Sequence, residues 1–333
     1  MQTKTQMNTI PNRWTTALAA LAAACALVAC GGGSSSSVAP TAPVPIVAAP
    51  APDVNAPASV GDIAADGRNW INYRRGQIGI PVMTQNTLID RAAQAHSDYQ
   101  KVNDTITHDE VAGKPGFTGV DLLARLNTAG YTFARNSYAY GEVISATSSN
   151  SGSYMADELI TAIYHRFVIF EPTFKEIGTG SATTAKGYTY FTSNFTANNG
   201  YGPGIGRGAV VTWPYSGQTS VTANFFSDYE APDPVPNKNE VGYPVSVHAD
   251  ITAVLTVQTF SIRPRGGAVL AVKLLQHVID PMATPPVIDK ETPASAAAIV
   301  PLDPLRAATT YDVTFTGIVD GLPVSKTWSF TTK

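Results

Sequence analysis

The chain has little cysteine and little charge, and each shortage excludes a class of protein. Its 333 residues include two cysteines, Cys25 and Cys30, too few for a disulfide-rich scaffold. Stability must therefore come from core burial, which a chain of this length supports. Charged residues make up 14%, with a net charge of −3, against about 25% charged residues in average soluble domains. No basic patch is present, so nucleic acid is excluded as a partner.

Common catalytic signatures are also missing. The sequence has no Gly-x-Ser-x-Gly elbow and no His-Glu-x-x-His helix. The glycine-rich stretch 202–208 lacks the Lys-Ser/Thr of a phosphate-binding loop and does not open a helix. A flexible connector is the better interpretation of that stretch.

The first 29 residues have the pattern of a secretory signal. Lys4 and Arg13 precede an unbroken apolar run, 17–29, and a positive start before a short apolar core is typical of export signals. The run of 13 residues is shorter than the roughly 20 that a transmembrane helix needs. Removal of residues 1–29 would change the net charge from −3 to −5.

The end of this segment resembles a bacterial lipobox. It reads Leu-Val-Ala-Cys at 27–30, followed by three glycines. The resemblance implies cleavage before Cys30 and diacylation of its thiol, so the membrane becomes a partner through lipidated Cys30. The predicted location is the bacterial cell envelope, exported and lipid-anchored. The alternative is an ordinary signal peptide that ends in Cys by chance.

Composition divides the remainder of the chain. Residues 30–60 are rich in Pro, Ala and Ser and cannot bury a core. In polyproline form, at about 3.1 Å per residue, this tether would reach roughly 90 Å. We predict a folded domain over 61–199, a connector over 200–243 and a β-domain over 244–333.

The first folded domain alternates helical and strand patterns. A helix is predicted over 62–76, and a second has Leu88, Ala92, Ala95 and Tyr99 on one face. Two further helices are predicted, one that begins at Leu122 and one over 155–169. Strands are predicted over 138–146, 174–181 and 187–196. This order indicates a layered α/β domain.

The C-terminal part has almost no helical period. Strands are predicted over 245–255, 268–275, 311–318 and 326–332, a pattern that favours a small β-sandwich. The run from Thr309 to Thr332 resembles bacterial immunoglobulin-like domains. Within the connector, 209–213 could complete the first domain's sheet or belong to a packed connector.

An ordered set of motifs resembles the CAP/SCP (SCP/TAPS) superfamily. The set comprises Asn72-Tyr73-Arg74, then Ala95-His96-Ser97, then His108, then Gly130-Tyr131, then Gly141-Glu142, then Tyr164-His165-Arg166 and finally Ile177-Gly178-Thr179-Gly180. The resemblance covers about 140 residues and implies a three-layer α-β-α sandwich. The predicted fold class is therefore α/β, a CAP-like sandwich followed by an all-β immunoglobulin-like sandwich.

The same resemblance implies a cleft with His108, Glu142 and His165. Two imidazoles and a carboxylate could hold a divalent metal such as zinc, or exchange protons near neutral pH. The family's next carboxylate falls on Ala162, so Glu158, two helical turns before His165, is the weaker substitute candidate. At the position after Gly-Glu, where the family usually has Asn, this chain has Val143. His96 is interpreted as structural. The alternatives are an ordinary surface histidine for His108, a cation at a helix end for His165 and an exposed helix glutamate for Glu158.

Three functional hypotheses follow. The favoured one is a surface-displayed, non-enzymatic module whose cleft binds a lipid, glycan or protein. The second is a metal-assisted hydrolase of an extracellular substrate, in which His108, Glu142 and His165 hold a metal or activate water. The third is a structural envelope component, because a fold does not fix function.

Overall fold

The computed structural model describes residues 2–6, 53–135, 137–280, 282, 285 and 287–333. The rest of the predicted signal peptide, the predicted lipidation site Cys30 and the predicted tether as far as residue 52 lie outside the described residues. In the described part, no helix is both long enough and apolar enough to span a membrane.

Five α-helices and one short 3-10 helix are present in the described part. They are α1 Ile63–Gln77, α2 Thr87–Asn103, α3 Leu122–Thr128, α4 Gly152–Thr161, α5 Ile163–Ile169 and the 3-10 helix Ser227–Tyr229.

The strands fall into a first group before residue 200 and a second group after it. The first group is β1 Gln2–Gln6, β2 Thr84–Gln85, β3 Tyr138–Thr147, β4 Glu176–Thr183 and β5 Thr189–Ala197. The second group is β6 Val211–Trp213, β7 Asn224–Phe226, β8 Glu240–Gly242, β9 Val245–His248, β10 Leu255–Pro264, β11 Val272–Gln276, β12 Val278–Asp280, β13 Val287–Ile288, β14 Ala296–Pro301, β15 Thr310–Val319 and β16 Leu322–Thr331.

The first sheet has helices on both faces. Its order is β1-β3-β5-β4-β2, with β3, β5 and β4 antiparallel and the two outer strands parallel to their neighbours. Phe191 of β5 lies against Gly67 of α1. The next residue, Thr192, accepts a hydrogen bond from Ser97 of α2 at 3.0 Å. Because successive strand residues point to opposite faces, α1 and α2 cover opposite sides, which confirms the predicted three-layer arrangement.

The predicted Ile-Gly-Thr-Gly motif lets α2 approach the sheet closely. A Cβ at Gly178 would collide with the backbone at Asp90, and a Cβ at Gly180 with the backbone at Gln94. Glycine is therefore required where strand and helix backbones come this close.

The C-terminal part is all-β, as predicted. It forms a four-stranded sheet of order β11-β14-β9-β6 and a three-stranded sheet of order β10-β15-β16. Connector strand β6 pairs with β9, so the interpretation that it completes the first sheet is wrong. The immunoglobulin-like identity of this part stays a prediction.

Four C-terminal strands, β10, β12, β13 and β14, were not predicted from the sequence. Strand β14 consists of Ala, Ile, Val and Pro and is buried along its whole length between β11 and β9. A strand buried on both faces shows no alternation, and its alanines carry little β-propensity. Strand β10 lies beside β15 and has an irregular register between Val257 and Thr259, which disrupts the alternating pattern.

The predicted single helix 155–169 is two helices. The chain is extended at Ala162, with φ −68° and ψ 117°, between the end of α4 and the start of α5. Leu159, Ile160, Ile163 and Phe167 are all buried, as expected. The break redirects α5, and it leaves the first backbone N–H groups of α5 without a capping side chain from Ala162.

Helix α5 is packed against the C-terminal sheet. Buried Arg166 donates to the carbonyl of Pro244 at 2.7 Å and to Ser246 Oγ at 3.2 Å. The rings of Phe167 and Phe170 lie edge-on to His248, at 5.7 and 5.6 Å between centroids. The core is therefore continuous from the first sheet into the C-terminal sheets.

His248 makes folding sensitive to acid. Burial, followed by the charges of Arg166 and Arg75, lowers the pKa of His248 to about 3, against about 6.5 in an unfolded chain. A depressed histidine pKa means that the unfolded state binds the extra proton first, so stability is full above pH 6.5 and falls as the pH drops.

We expect this one group to cost about 2 kcal/mol of unfolding free energy at pH 5 relative to pH 8. The measurement is urea denaturation at several pH values for wild type and His248→Gln. The difference between the two curves isolates His248. If the free energy of unfolding changed by the same amount between pH 8 and pH 5 in wild type and in His248→Gln, the expectation would be contradicted.

Candidate functional site

Glu142 is fixed by a buried ionic network in the middle of β3. Arg125 Nη2 lies 2.7 Å from both carboxylate oxygens, and His108 Nδ1 lies 2.8 Å from Oε1. Burial raises the pKa of Glu142, but the charges of Arg125 and His96 and the His108 hydrogen bond lower it further, to well below its usual range. The carboxylate is ionised and its oxygens are occupied.

His108 lies in the loop between α2 and α3, not on the surface. Its side chain is buried, its carbonyl accepts from Arg125 Nη1 at 2.6 Å, and its Nε2 has no hydrogen-bond partner among the described residues. Burial lowers the pKa of His108 despite the opposing effect of Glu142. At neutral pH this ring is a neutral imidazole.

His165 is hydrogen-bonded to the carboxylate of Glu230, which was not predicted as its partner. Its Nδ1 lies 3.0 Å from Oε1 of Glu230. The same carboxylate accepts from the backbone N–H groups of Ile163 at 2.9 Å, Tyr164 at 2.6 Å and His165 at 3.1 Å. Glu230 thus supplies the cap that Ala162 cannot provide to α5, which stabilises the helix start.

The two histidines have the same arrangement. In each ring Nδ1 faces a carboxylate, and in each ring Nε2 is buried with no partner in the described part of the chain. The charge of His165 adds to the burial that lowers the pKa of His108. Nδ1 held by a carboxylate orients an imidazole and leaves Nε2 as the functional atom.

An open cleft of about 550 Å³ lies beside His165. Its wall includes Ile144 of β3, Glu158 of α4 and three tyrosines, Tyr154, Tyr188 and Tyr229. Burial and nearby Asp157 raise the pKa of Glu158. Of the four candidates, His165 and the weaker candidate Glu158 line the cleft, and His108 and Glu142 do not.

The predicted three-ligand metal set does not match this geometry. No group of three or more His, Cys, Asp or Glu in the described residues is arranged to hold a metal. Glu142 fails as a direct ligand because Arg125 and His108 occupy it. The available metal donors are Nε2 of His108 and Nε2 of His165, each supported by a carboxylate.

The structural interpretation of His96 agrees with its contacts. The ring lies in α2, fully buried, with Nδ1 2.8 Å from Glu110 Oε1 and Nε2 2.7 Å from the carbonyl of Thr107. Both ring nitrogens are occupied, so no atom remains for a ligand.

Sequence comparison identifies the first domain. Residues 69–195 match the family model of CAP, the Cysteine-rich secretory protein family. These residues form a CAP domain. Glu230 lies outside the match, so the carboxylate that holds the second cleft histidine comes from the connector and not from the CAP sequence itself.

Three solved structures that resemble the chain each cover about two fifths of it. An extracellular protein containing an SCP domain, from Bacillus anthracis, is 22% identical with a TM-score of 0.33 and covers 40% of this chain. The match spans 39% of that Bacillus protein. An outer surface protein from Borrelia burgdorferi is 13% identical, with a TM-score of 0.33. The match covers 40% of this chain and 90% of that chain. Venom allergen-like protein 4 from Schistosoma mansoni is 15% identical, with a TM-score of 0.27. The match covers 43% of this chain and 92% of that chain. No curated protein matches the chain.

Proposed function

We propose that this chain is an exported envelope lipoprotein whose CAP domain binds a ligand, a lipid, glycan or protein, in the cleft beside His165. One observation carries the proposal: two buried imidazoles are held at Nδ1 by Glu142 and Glu230 and keep Nε2 without a partner. Buried polar atoms are normally satisfied, so a ligand atom, a water or a metal is needed to complete each Nε2.

A divalent metal such as zinc is the sharpest probe of these two nitrogens. We expect Zn²⁺ to bind the purified chain through Nε2 of His108 and of His165, with water or a ligand group in the remaining positions. His108→Ala or His165→Ala should weaken binding by at least about tenfold. His277→Ala is the matched control, since Nδ1 of that histidine faces the carbonyl of Thr292, away from the cleft.

The pH dependence of zinc binding has a defined sign. Metal needs deprotonated imidazole, so affinity falls in acid. Because burial lowers the pKa of His108, that ring competes for protons only below its ordinary value of about 6.5. Calorimetric titration at neutral and mildly acid pH is the measurement. Equal affinity for wild type and both cleft variants would contradict a two-histidine site.

An assay of the zinc-loaded chain separates the two functional candidates. Zinc binding with loss in both variants fits the ligand-binding proposal, whereas zinc-dependent hydrolysis of an extracellular substrate, lost in both variants, would support a metal-assisted hydrolase, because bound metal lowers the pKa of a coordinated water. Failure to bind zinc would leave the non-enzymatic binding module as the proposal, with the two Nε2 atoms accepting ligand hydrogen bonds.

The anchor is tested through the two cysteines. Fatty acid fed to expressing bacteria should label wild type and Cys25→Ser but not Cys30→Ser, because acylation of the first residue after cleavage requires its thiol. Gel fluorography of labelled cells is the measurement. Equal labelling of Cys30→Ser would contradict the lipoprotein proposal and leave the cleft proposal intact.

A further inference from the structure

A second cavity lies where α1 meets the C-terminal part, and neither His108 nor His165 lines it. It has a volume of about 370 Å³. Its wall combines the end of α1 (Gln77 and Ile78), connector residues 210–212, 215 and 216, and residues 326–328 of β16. Because three separate segments build this cavity, it exists only when the CAP domain and the C-terminal part are packed together.

Trp328 lines this cavity and carries an unsatisfied donor. The residue is 6% exposed, and its indole Nε1 is buried without a hydrogen-bond partner among the described residues. An indole N–H only donates, and a buried donor that lacks an acceptor costs free energy. A ligand acceptor in the cavity would remove that cost.

Lys326 places a positive charge on the same face of β16. It lies two residues before Trp328, so both side chains leave the strand in the same direction, and both line the cavity. Within the described part of the chain, Lys326 makes no ion pair with the protein. None of the described residues that line the cavity is acidic.

The rest of the wall is apolar or neutral. Ile78, Val210, Val211 and the ring of Tyr215 offer contact surface, and the Tyr215 hydroxyl accepts from Gln77 Nε2 at 3.2 Å. A ligand that fits has an anionic acceptor at one end and an apolar body at the other.

We propose that this cavity binds a small organic carboxylate, whose oxygens accept from Trp328 Nε1–H and pair with the Lys326 ammonium. The carboxylate belongs to an aromatic acid, a peptide C terminus or an acidic sugar. This site is independent of the cleft histidines and of the proposed function.

The test is a set of NMR titrations of the Trp328 indole N–H, assigned through its absence in Trp328→Phe. The probes are benzoate, N-acetylphenylalanine and glucuronate, and benzamide is the uncharged match to benzoate. We expect a saturable shift of this resonance with at least one carboxylate. The acid that binds most tightly identifies which of the three sources fits.

Lys326→Gln should weaken that binding by about fivefold or more, since charge-assisted hydrogen bonds are the stronger ones. Benzamide should bind correspondingly more weakly than benzoate. Lys273→Gln, an exposed lysine of β11, is the control and should bind as wild type does. No saturable shift with any carboxylate, or equal binding by Lys326→Gln and Lys273→Gln, would overturn the proposal. The zinc titration is unaffected by either result.

Discussion

Replacing Glu142 by Ala should lower the free energy of unfolding by about 3–5 kcal/mol, since breaking a buried ion pair leaves an uncompensated charge. Arg125 is 1% exposed and would lose its carboxylate partner, with its remaining side-chain hydrogen bond going to the carbonyl of His108. His108 would lose the acceptor at Nδ1 as well. Chemical denaturation followed by circular dichroism measures the loss.

Two variants serve as controls for this prediction. Glu142→Gln keeps the volume and one acceptor oxygen, so it should lose less stability than Ala. Glu158→Ala removes a carboxylate that lines the open cleft, belongs to an exposed residue of α4 and makes no ion pair in the described part of the chain, so it should change stability by less than about 0.5 kcal/mol, as surface substitutions do. Similar losses for Glu142→Ala and Glu158→Ala would show that the buried network contributes nothing.

Replacing Glu230 by Ala is expected to cost about 3 kcal/mol, because a helix cap and a buried hydrogen bond are lost together. Three backbone N–H groups at the start of α5 would lose their acceptor, and so would Nδ1 of His165. Thermal or urea unfolding measures the first effect.

The same variant should change the cleft. Without Glu230 the ring of His165 is no longer oriented, so zinc affinity should fall about 10–100-fold, the effect of losing such a partner. Glu240→Ala, a change at an exposed acid ten residues further along, should leave stability and zinc affinity unaltered. Unchanged zinc affinity in a folded Glu230→Ala protein would contradict the supporting role of this carboxylate.

The layered fold could be predicted because its elements carry local signals. The helix α2 has a buried face and an Asn86 cap, and the glycines of β4 mark the close approach of α2. The strand β14 and the break at Ala162 could not be predicted, because tertiary packing determines both. A fully buried Ala-rich strand has no alternation to detect.

The candidate site divides in the same way. His108, Glu142 and His165 could be named because family motifs mark them, and a buried carboxylate on a strand requires partners. The partners themselves were not predicted: Arg125 is 17 residues before Glu142, and Glu230 is 65 residues after His165. No sequence signal marked Glu230, because the missing capping side chain at Ala162 is visible only once the helix break there is known.

The central claim is that the imidazoles of His108 and His165 carry their proton on Nδ1 and present an unprotonated Nε2. The direct measurement is long-range ¹H–¹⁵N correlation of the histidine rings near pH 7.5, with His108→Ala and His165→Ala used for assignment. The account predicts the Nδ1–H tautomer for both rings, since Glu142 and Glu230 accept at Nδ1. Observation of the Nε2–H tautomer in either ring would contradict it.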